Sequence, residues 1–309
     1  MKLSIVSPIY NEGSLVNTFV EAISKIVATM GISYEILLVD DGSTDDTWKY
    51  INALSDRENK IRGIRFSRNF GKECALIAGI ENANGETVIT IDSDLQHPIE
   101  LIPQMYEMWA QGETNIIECV KEQRQKESFL NRCFAKFYYV MFHKLTGIDL
   151  KNASDFKLFD RAAINAMNKL IEKEVFFRGI SKWVGFNRRI IHFTPNDRKE
   201  NLSKWSFAKK INLAVGSLTS YTAKPLIFIL IMTFCFFCLS VIMGIEVIVR
   251  YITKSSASGF PTVILLICVV GTAILLSLTL LAIYINQIFN EVKARPRYII
   301  SDICGQSIK

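Results

Sequence analysis

Val88-Ile89-Thr90-Ile91-Asp92-Ser93-Asp94-Leu95-Gln96-His97-Pro98 is the stretch that decides how the chain is read. Its first four residues, rich in β-branched types, read as a buried strand that stops at two carboxylates spaced one residue apart. Pro98 then suits the first turn of a helix. Asp92 and Asp94 are thereby placed at the carboxyl end of a strand, where open α/β sheets bind their ligands. Hard oxygen ligands there suit Mg²⁺ or Mn²⁺ on a diphosphate, because such a cation takes one or two carboxylates and leaves its other positions to phosphate and water. A plain strand end before a capped helix has the same spelling, so the rest of the chain must choose between the two.

Toward the amino terminus, strands alternate with helices, the pattern of a parallel sheet with crossover helices. Leu3–Ser7 reads as a strand, and Leu15, Phe19, Ala22, Ile23, Ile26 and Val27 mark the buried face of a helix. Glu35–Asp40 is a second strand. It runs into Asp40-Asp41-Gly42-Ser43-Thr44-Asp45-Asp46, where Ser43 and Asp46 have capping-box spacing ahead of a helix over Thr47–Leu54. Ile61–Phe66 is a third strand and Lys72–Asn82 a helix. No Gly-x-Gly-x-x-Gly or Walker lysine loop occurs, which removes the main support for a dinucleotide or P-loop reading. Acids gather at the strand ends instead: Glu12, Asp40, Asp41, Asp92 and Asp94. Their mutual repulsion calls for a cation or a donor-rich ligand, which favours the metal reading.

Toward the carboxyl terminus the chain turns basic. Lys121, Arg124, Lys126 and Arg132 surround Glu127 and Ser128 on what reads as the start of a helix through Phe142, a pattern that a solvated helix face also produces. Asp155–Arg161 reads as a short strand entering a helix, and Arg178, Arg188, Arg189, Arg198 and Lys204 extend the basic trend. From Phe207 to Tyr221 the apolar positions share one face opposite Lys209 and Lys210, as in an amphipathic helix lying at a membrane interface.

Of the 309 residues 50% are apolar and 21% charged, enough for one sizeable domain plus something greasier. Leu226–Val249 carries one charge, Glu246, and Thr262–Phe289 none. Both are long enough to cross about 30 Å of hydrocarbon. Lys204, Lys209, Lys210 and Lys224 precede the first span, Lys293, Arg295 and Arg297 follow the second, and the intervening loop holds only Arg250 and Lys254. This bias puts both termini inside. Met1-Lys2 leads straight into a strand-like run, so no cleavable signal is expected and the large amino-terminal region is assigned to the cytoplasm. The net charge of +6 fits a membrane surface and anionic phosphates, and no aromatic-and-basic module for nucleic acid is seen. Seven cysteines, three of them in the spans, suggest no disulfide framework. Cys235 and Cys238 read as small apolar side chains on one helix face. The small residues Gly271, Ala273 and Ser277 in the second span suit helix packing, as in a homo-oligomer.

The motifs, taken in order, resemble family 2 glycosyltransferases of the polyprenyl-phosphate branch. They are Pro8-Ile9-Tyr10-Asn11-Glu12, Val39-Asp40-Asp41-Gly42-Ser43-Thr44-Asp45, Arg68-Asn69-Phe70-Gly71-Lys72-Glu73, Asp92-Ser93-Asp94-Leu95-Gln96, Phe177-Arg178-Gly179 with Trp183 and Gly185, and Ser203-Lys204-Trp205. Glu291-Val292-Lys293-Ala294-Arg295-Pro296 is similar to the tail of two-span bacterial members. The resemblance implies an α/β, GT-A-like nucleotide-sugar-binding domain with a mostly parallel sheet over 1–205. An interfacial helix over 206–224, two transmembrane helices within 225–290 and a cytoplasmic tail over 291–309 would follow, in a bacterial plasma membrane. It implies inverting transfer of a sugar to a polyprenyl phosphate such as undecaprenyl phosphate, with UDP-glucose favoured as donor and mannose from GDP-mannose, an N-acetylhexosamine or a modified arabinose as the alternatives, since no residue pattern distinguishes the sugar.

Carried over position by position, Pro8, Tyr10, Glu12 and Asp40 would line the nucleotide pocket with Lys72. Asp92 would sit near the donor, and Asp94 with Gln96 would hold Mg²⁺ or Mn²⁺ on its diphosphate. Arg124, Ser128 and Arg132 would receive the lipid phosphate, Arg198 and Lys204 would close over phosphate groups, and Asp155 would stand where the family analogy puts a base. A phosphate monoester is already largely dianionic at neutral pH, so Asp155 is read instead as positioning the acceptor or balancing arginines. His97, Ile99 and Asn201 depart from the family pattern, and His97 is expected to face solvent at a helix start. A processive polysaccharide synthase would be expected to show a Gln-x-x-Arg-Trp element and more spans. A non-catalytic nucleotide-sugar-binding partner is the rival from another class.

Overall fold

The computed structural model describes residues 1–121, 140–147, 153–170, 172, 176–194, 225–253 and 260–305. The apolar runs of the amino-terminal part form β1 (Leu3–Ile9), β2 (Tyr34–Asp40), β3 (Ile61–Phe66) and β4 (Thr87–Thr90). Between them lie α1 (Leu15–Ala28), α2 (Thr47–Arg57) and α3 (Lys72–Asn82). All residues of β1 and β2 are buried, as parallel strands covered on both faces require. β1 pairs in parallel with β2 on one side and with β4 on the other, and β2 pairs in parallel with β3. Helix α3 lies against β1 so closely that a Cβ at Gly79 would come 2.2 Å from a Val6 methyl.

After α4 (Leu101–Ala110) the chain adds β5 (Ile116–Lys121), β6 (Ala153–Asp160), α5 (Arg161–Asn168), α6 (Phe177–Trp183) and β7 (Arg188–Phe193). With β8 (Ile300–Cys304) they complete a sheet ordered β7-β5-β6-β4-β1-β2-β3-β8. β6 is antiparallel to both β4 and β5, whereas β7 is parallel to β5. The result is an α/β fold with a mostly parallel sheet. The strand order reverses at β1, because the chain lays down β2 and β3 on one side and then crosses to β4 on the other. The crevice outside the carboxyl ends of β1 and β4 is the ligand position this topology creates. Glu12, Asp92 and Asp94 lie just beyond those ends.

Three local expectations change. The capping box does not form: Asp46 stands at the N-cap of α2 but its carboxylate accepts from Lys49 Nζ at 2.6 Å and caps no backbone amide, and Asp45 Oδ1 accepts from both the amide and the hydroxyl of Thr47. Ser43 is unavailable because its hydroxyl accepts from the Asn11 amide at 2.9 Å. Pro98 lies one turn before α4, its carbonyl accepting from the Leu101 amide. The stretch 291–309, read as a tail, contains β8, an edge strand antiparallel to β3. Arg297 Nε donates to the Glu172 carbonyl at 2.7 Å, and Tyr298 stacks on Phe66 with ring centroids 4.9 Å apart, which seats the returning chain.

The chain divides into two compact units, Met1–Ser206 with Pro296–Lys309, and Phe207–Arg295. The second unit contains α7 (Pro225–Ile252) and α8 (Phe260–Val292). Among the described residues one helical segment, Val269–Val292, is long and apolar enough to cross a membrane, with mean hydropathy 2.1. The other expected span, Leu226–Val249, falls in α7. The expected interfacial helix over 206–224 lies outside the described residues.

Candidate active site

At the end of β1, Asn11 takes a left-handed conformation (φ 54°), which turns the chain back so that the Glu12 and Gly13 amides donate to Thr47 Oγ1 at 3.0 and 2.9 Å. The Glu12 carboxylate meets Ser93, whose hydroxyl donates to it. Burial pushes the Glu12 carboxyl up to about 7; the Ser93 bond works against this, while the nearby Asp94 and Asp92 carboxylates add to it.

The centre of the site is an ionic chain. Lys72, at the first position of α3, places Nζ 2.7 Å from Asp92 Oδ1 and 2.7 Å from Asp155 Oδ2. Arg178 of α6 grips the same Asp155 with both arms, Nε to Oδ1 at 2.7 Å and Nη2 to Oδ2 at 2.9 Å. Asp155 reaches Asp92 because β6 runs antiparallel to β4, so the start of one strand lies beside the end of the other. Burial alone would push both carboxyls up. The Lys72 ammonium overcomes this at both, with Arg178 at Asp155 and His97 at Asp92, and both carboxyls lie below the usual carboxylate range. Burial likewise works against the Lys72 ammonium, yet Asp92 and Asp155 raise its pKa.

Asp94 differs from its neighbours. It is exposed, and among the described residues its one hydrogen bond is from the Gln96 amide at 3.1 Å. Leu95 between them is left-handed (φ 54°), a turn that presents the carboxylate outward. Asp94 therefore keeps an oxygen for a cation, whereas Asp92 has Lys72 on Oδ1 and His97 Nε2 at 3.5 Å from Oδ2. One open carboxylate with a neighbouring amide side chain is a partial donor set, the kind Mg²⁺ or Mn²⁺ completes with phosphate and water.

At the end of β2, Asp40 is fully buried and its Oδ1 accepts from the Ser43 amide at 2.9 Å. Its Oδ2 has Arg65 Nε at 3.5 Å but accepts no hydrogen bond, so a buried acceptor is left unsatisfied there. Burial raises the Asp40 carboxyl. Pro8 is buried in β1, whereas Tyr10, just past the strand, is 45% exposed and offers a ring face.

The model of the family described as Glycosyl transferase family 2 matches residues 4–169, more than half of the chain. The chain belongs to glycosyl transferase family 2. Among this enzyme family's curated members, a putative glycosyltransferase of Bacillus subtilis, CsbB, is 36% identical over 97% of this chain and 91% of its own. The SfII prophage-derived bactoprenol glucosyl transferase of Shigella flexneri is 32% identical over 97% of both chains. Among solved structures, glucosyl-3-phosphoglycerate synthase from Mycobacterium tuberculosis, in complex with Mn²⁺, uridine diphosphate and phosphoglyceric acid, superposes with a TM-score of 0.51. It is 18% identical and covers 70% of this chain and 78% of its own, a likeness of fold that identifies the sheet as GT-A-like.

Within this family 2 domain the structure brings Glu12, Lys72, Asp92, Asp94 and Asp155 together at the strand ends. Arg124, Ser128, Arg132, Arg198 and Lys204 lie outside the described residues. His97 does not face solvent: it is 4% exposed, its ring centroid 5.4 Å from that of Phe156 and 5.6 Å from that of Phe193. Two aromatic rings from strands far along the chain close over it. Asp41, counted among the acids awaiting a cation, is already occupied, since its carboxylate accepts from the Phe70 and Gly71 amides at 2.7 and 2.9 Å. Gly42 beside it has φ 68°, and a Cβ there would lie 2.3 Å from the Arg68 backbone, so the loop before Lys72 packs directly on this turn. Arg178 was legible in a basic trend and in the Phe177-Arg178-Gly179 motif, but without a role; its contact with Asp155 depends on α6 packing against β6.

Proposed function

We propose that this family 2 glycosyltransferase transfers a sugar, with inversion, from a nucleotide sugar to a polyprenyl phosphate, with UDP-glucose and undecaprenyl phosphate the favoured pair. The observation that carries this reading is the 32% identity to a bactoprenol glucosyl transferase across 97% of both chains. The exposed Asp94 beside an ionic chain centred on the buried Asp155 gives it a chemical basis.

In this reading Tyr10 lends its ring face to the base and Asp40 Oδ2 accepts a donor from it, with Pro8 and Glu12 walling the pocket. Asp94 and Gln96 hold Mg²⁺ or Mn²⁺, which when bound draws charge from the departing diphosphate. Mn²⁺ with uridine diphosphate in the fold neighbour supports that pairing. The Lys72 side chain is 42% exposed, so its ammonium can turn from the carboxylates to a phosphate oxygen. Asp92 orients Lys72. Asp155 balances Lys72 and Arg178 beside the anomeric carbon; it is not required as a base, because the acceptor phosphate has a second pKa near 6 and is already a dianion. Arg124, Ser128 and Arg132 take the lipid phosphate, and Arg198 and Lys204 close on phosphate groups. The apolar runs Leu226–Val249 and Thr262–Phe289 support two spans, and the Lys and Arg bias around them supports placing the catalytic unit and both termini on the cytoplasmic side of a bacterial plasma membrane.

The test is to incubate membranes carrying the protein with undecaprenyl phosphate, Mg²⁺ or Mn²⁺, and a panel of radiolabelled nucleotide sugars. Label from UDP-glucose in the lipid fraction is expected. Failure of every donor to label lipid overturns the reading.

A further inference from the structure

Away from the strand-end acids, the sheet carries a second buried ionic group that the reaction above leaves unused. Lys157 of β6 is 1% exposed, and its ammonium donates to Ser181 Oγ at 2.6 Å and lies 3.2 Å from Glu118 Oε1. Glu118 of β5, equally buried, stands opposite Lys157 in the strand register, and its other oxygen lies 3.8 Å from Lys182 Nζ. Ser181 in turn donates to the Arg178 carbonyl at 3.0 Å.

Spacing relates this cluster to the active site. Asp155 and Lys157 are two residues apart on β6, across an irregularity in its pairing with β5, and both side chains meet α6, at Arg178 and at Ser181. Arg178 and Ser181 are three apart on α6 and share a helix face. Two polar rungs therefore cross between the same two elements, Asp155 with Arg178 and Lys157 with Ser181. A well-packed apolar group would hold α6 to the sheet as firmly, since removing Lys and Glu from water is unfavourable. Apolar packing, however, lets a seven-residue helix slide or roll, whereas a short hydrogen bond from a fixed strand position does not.

We propose that Lys157, Glu118 and Ser181 form a register pin that fixes the rotation and translation of α6, so that Arg178 meets Asp155 with both arms. The three are positioning residues that act through Arg178. The pin rests on the proposed transferase reading only for the kinetic part of its test.

The experiment uses the full-length protein in lipid nanodiscs and a Lys157→Met/Glu118→Leu double variant, which removes both buried charges together, and with them the links to Ser181 and Lys182 of α6. Hydrogen exchange of the α6 amides is expected to speed up about tenfold or more, while exchange in β1 and β2 is unchanged. Transfer kcat is expected to fall about tenfold with the donor KM held within about threefold. Ser181→Ala, which keeps both charges and deletes only the Lys157 hydrogen bond to α6, is expected to show the same two effects in smaller measure and decides the matter if the double variant does not fold. Wild-type α6 exchange in the variant that folds overturns the pin, as does unchanged kcat. A wild-type protein that labels no lipid defeats the transferase reading, and the exchange measurement still decides the pin.

Discussion

Lys72 Nζ lies 2.7 Å from Asp155 Oδ2, joining residues 83 positions apart and tying the start of α3 to β6. Burial favours a neutral Asp155, but Lys72 and Arg178 hold its carboxyl well below the usual range. The folded value thus lies below the unfolded value of about 3.9, so this contribution to stability is complete above that pH and is lost as pH falls toward the folded value. Lys72→Met should raise the folded values of Asp155 and Asp92 toward their unfolded ones, so the variant should melt below the wild type near pH 7 and the gap should narrow as pH falls. Melting curves from about pH 3 to pH 7 check this, and a gap that is the same at both ends would refute it.

Glu73 has the opposite sign. Burial, followed by the Asp155 charge, pushes its carboxyl up to about 7, although Oε2 accepts from the Phe177 amide at 2.6 Å. Its contribution is present in full below the unfolded value of about 4.3 and is lost as pH rises through about 7. Glu73→Gln keeps an acceptor for the amide and cannot ionise. Its melting temperature should exceed that of the wild type by about 2–4 °C at pH 8 and converge with it near pH 5. The wild-type decline should shrink without vanishing, because Glu12 is raised in the same direction.

The returning strand supports a third prediction. Phe66 is 1% exposed with Tyr298 stacked on it, and Arg297 donates to the Leu170 and Glu172 carbonyls. Deleting residues 296–309 should bare the β3 edge and this ring, and give a protein that aggregates on purification. Arg297→Ala should be milder, costing about 1–2 kcal/mol in urea unfolding, because it leaves the carbonyls without their donor. A truncated protein as stable and monodisperse as the wild type would show that β8 is dispensable.

How much of this was legible in the sequence depends on how local each signal is. β1 to β4 and α1 to α3 were readable because continuous apolar runs and helical spacing report burial without knowledge of partners. β8 was not, since Ile300-Ser301-Asp302-Ile303-Cys304 is short and mixed, and becomes a strand only because β3 offers an edge more than 230 residues earlier. His97 was misread for a related reason: Phe156 and Phe193, which bury it, are distant in sequence. In the site, the acid spelling was visible but its division of labour was not. That Asp41 is spent on two loop amides, Asp92 on Lys72, and Asp94 on little else follows only from the crossing of α3, β4 and β6.

Asp94 carries the last prediction because it is the site acid whose loss should cost the fold least. It is exposed, lies at a left-handed turn, and accepts one bond from the Gln96 amide, so Asp94→Ala should move the melting temperature by less than about 2 °C. If it holds the cation on the donor diphosphate, the same change removes charge stabilisation worth several kcal/mol in the transition state, a fall in transfer of roughly 10³-fold. Asp94→Asn should fall nearly as far, since an amide oxygen retains the shape but not the charge. Mn²⁺ titration followed by electron paramagnetic resonance, with uridine diphosphate present, should show weakened binding in both. Asp92→Asn provides the contrast: by releasing Lys72 it should lower kcat while leaving Mn²⁺ affinity within about threefold of the wild type. Metal-dependent turnover retained in Asp94→Ala, or Mn²⁺ affinity lost in Asp92→Asn and kept in Asp94→Ala, would transfer the cation from Asp94 to Asp92.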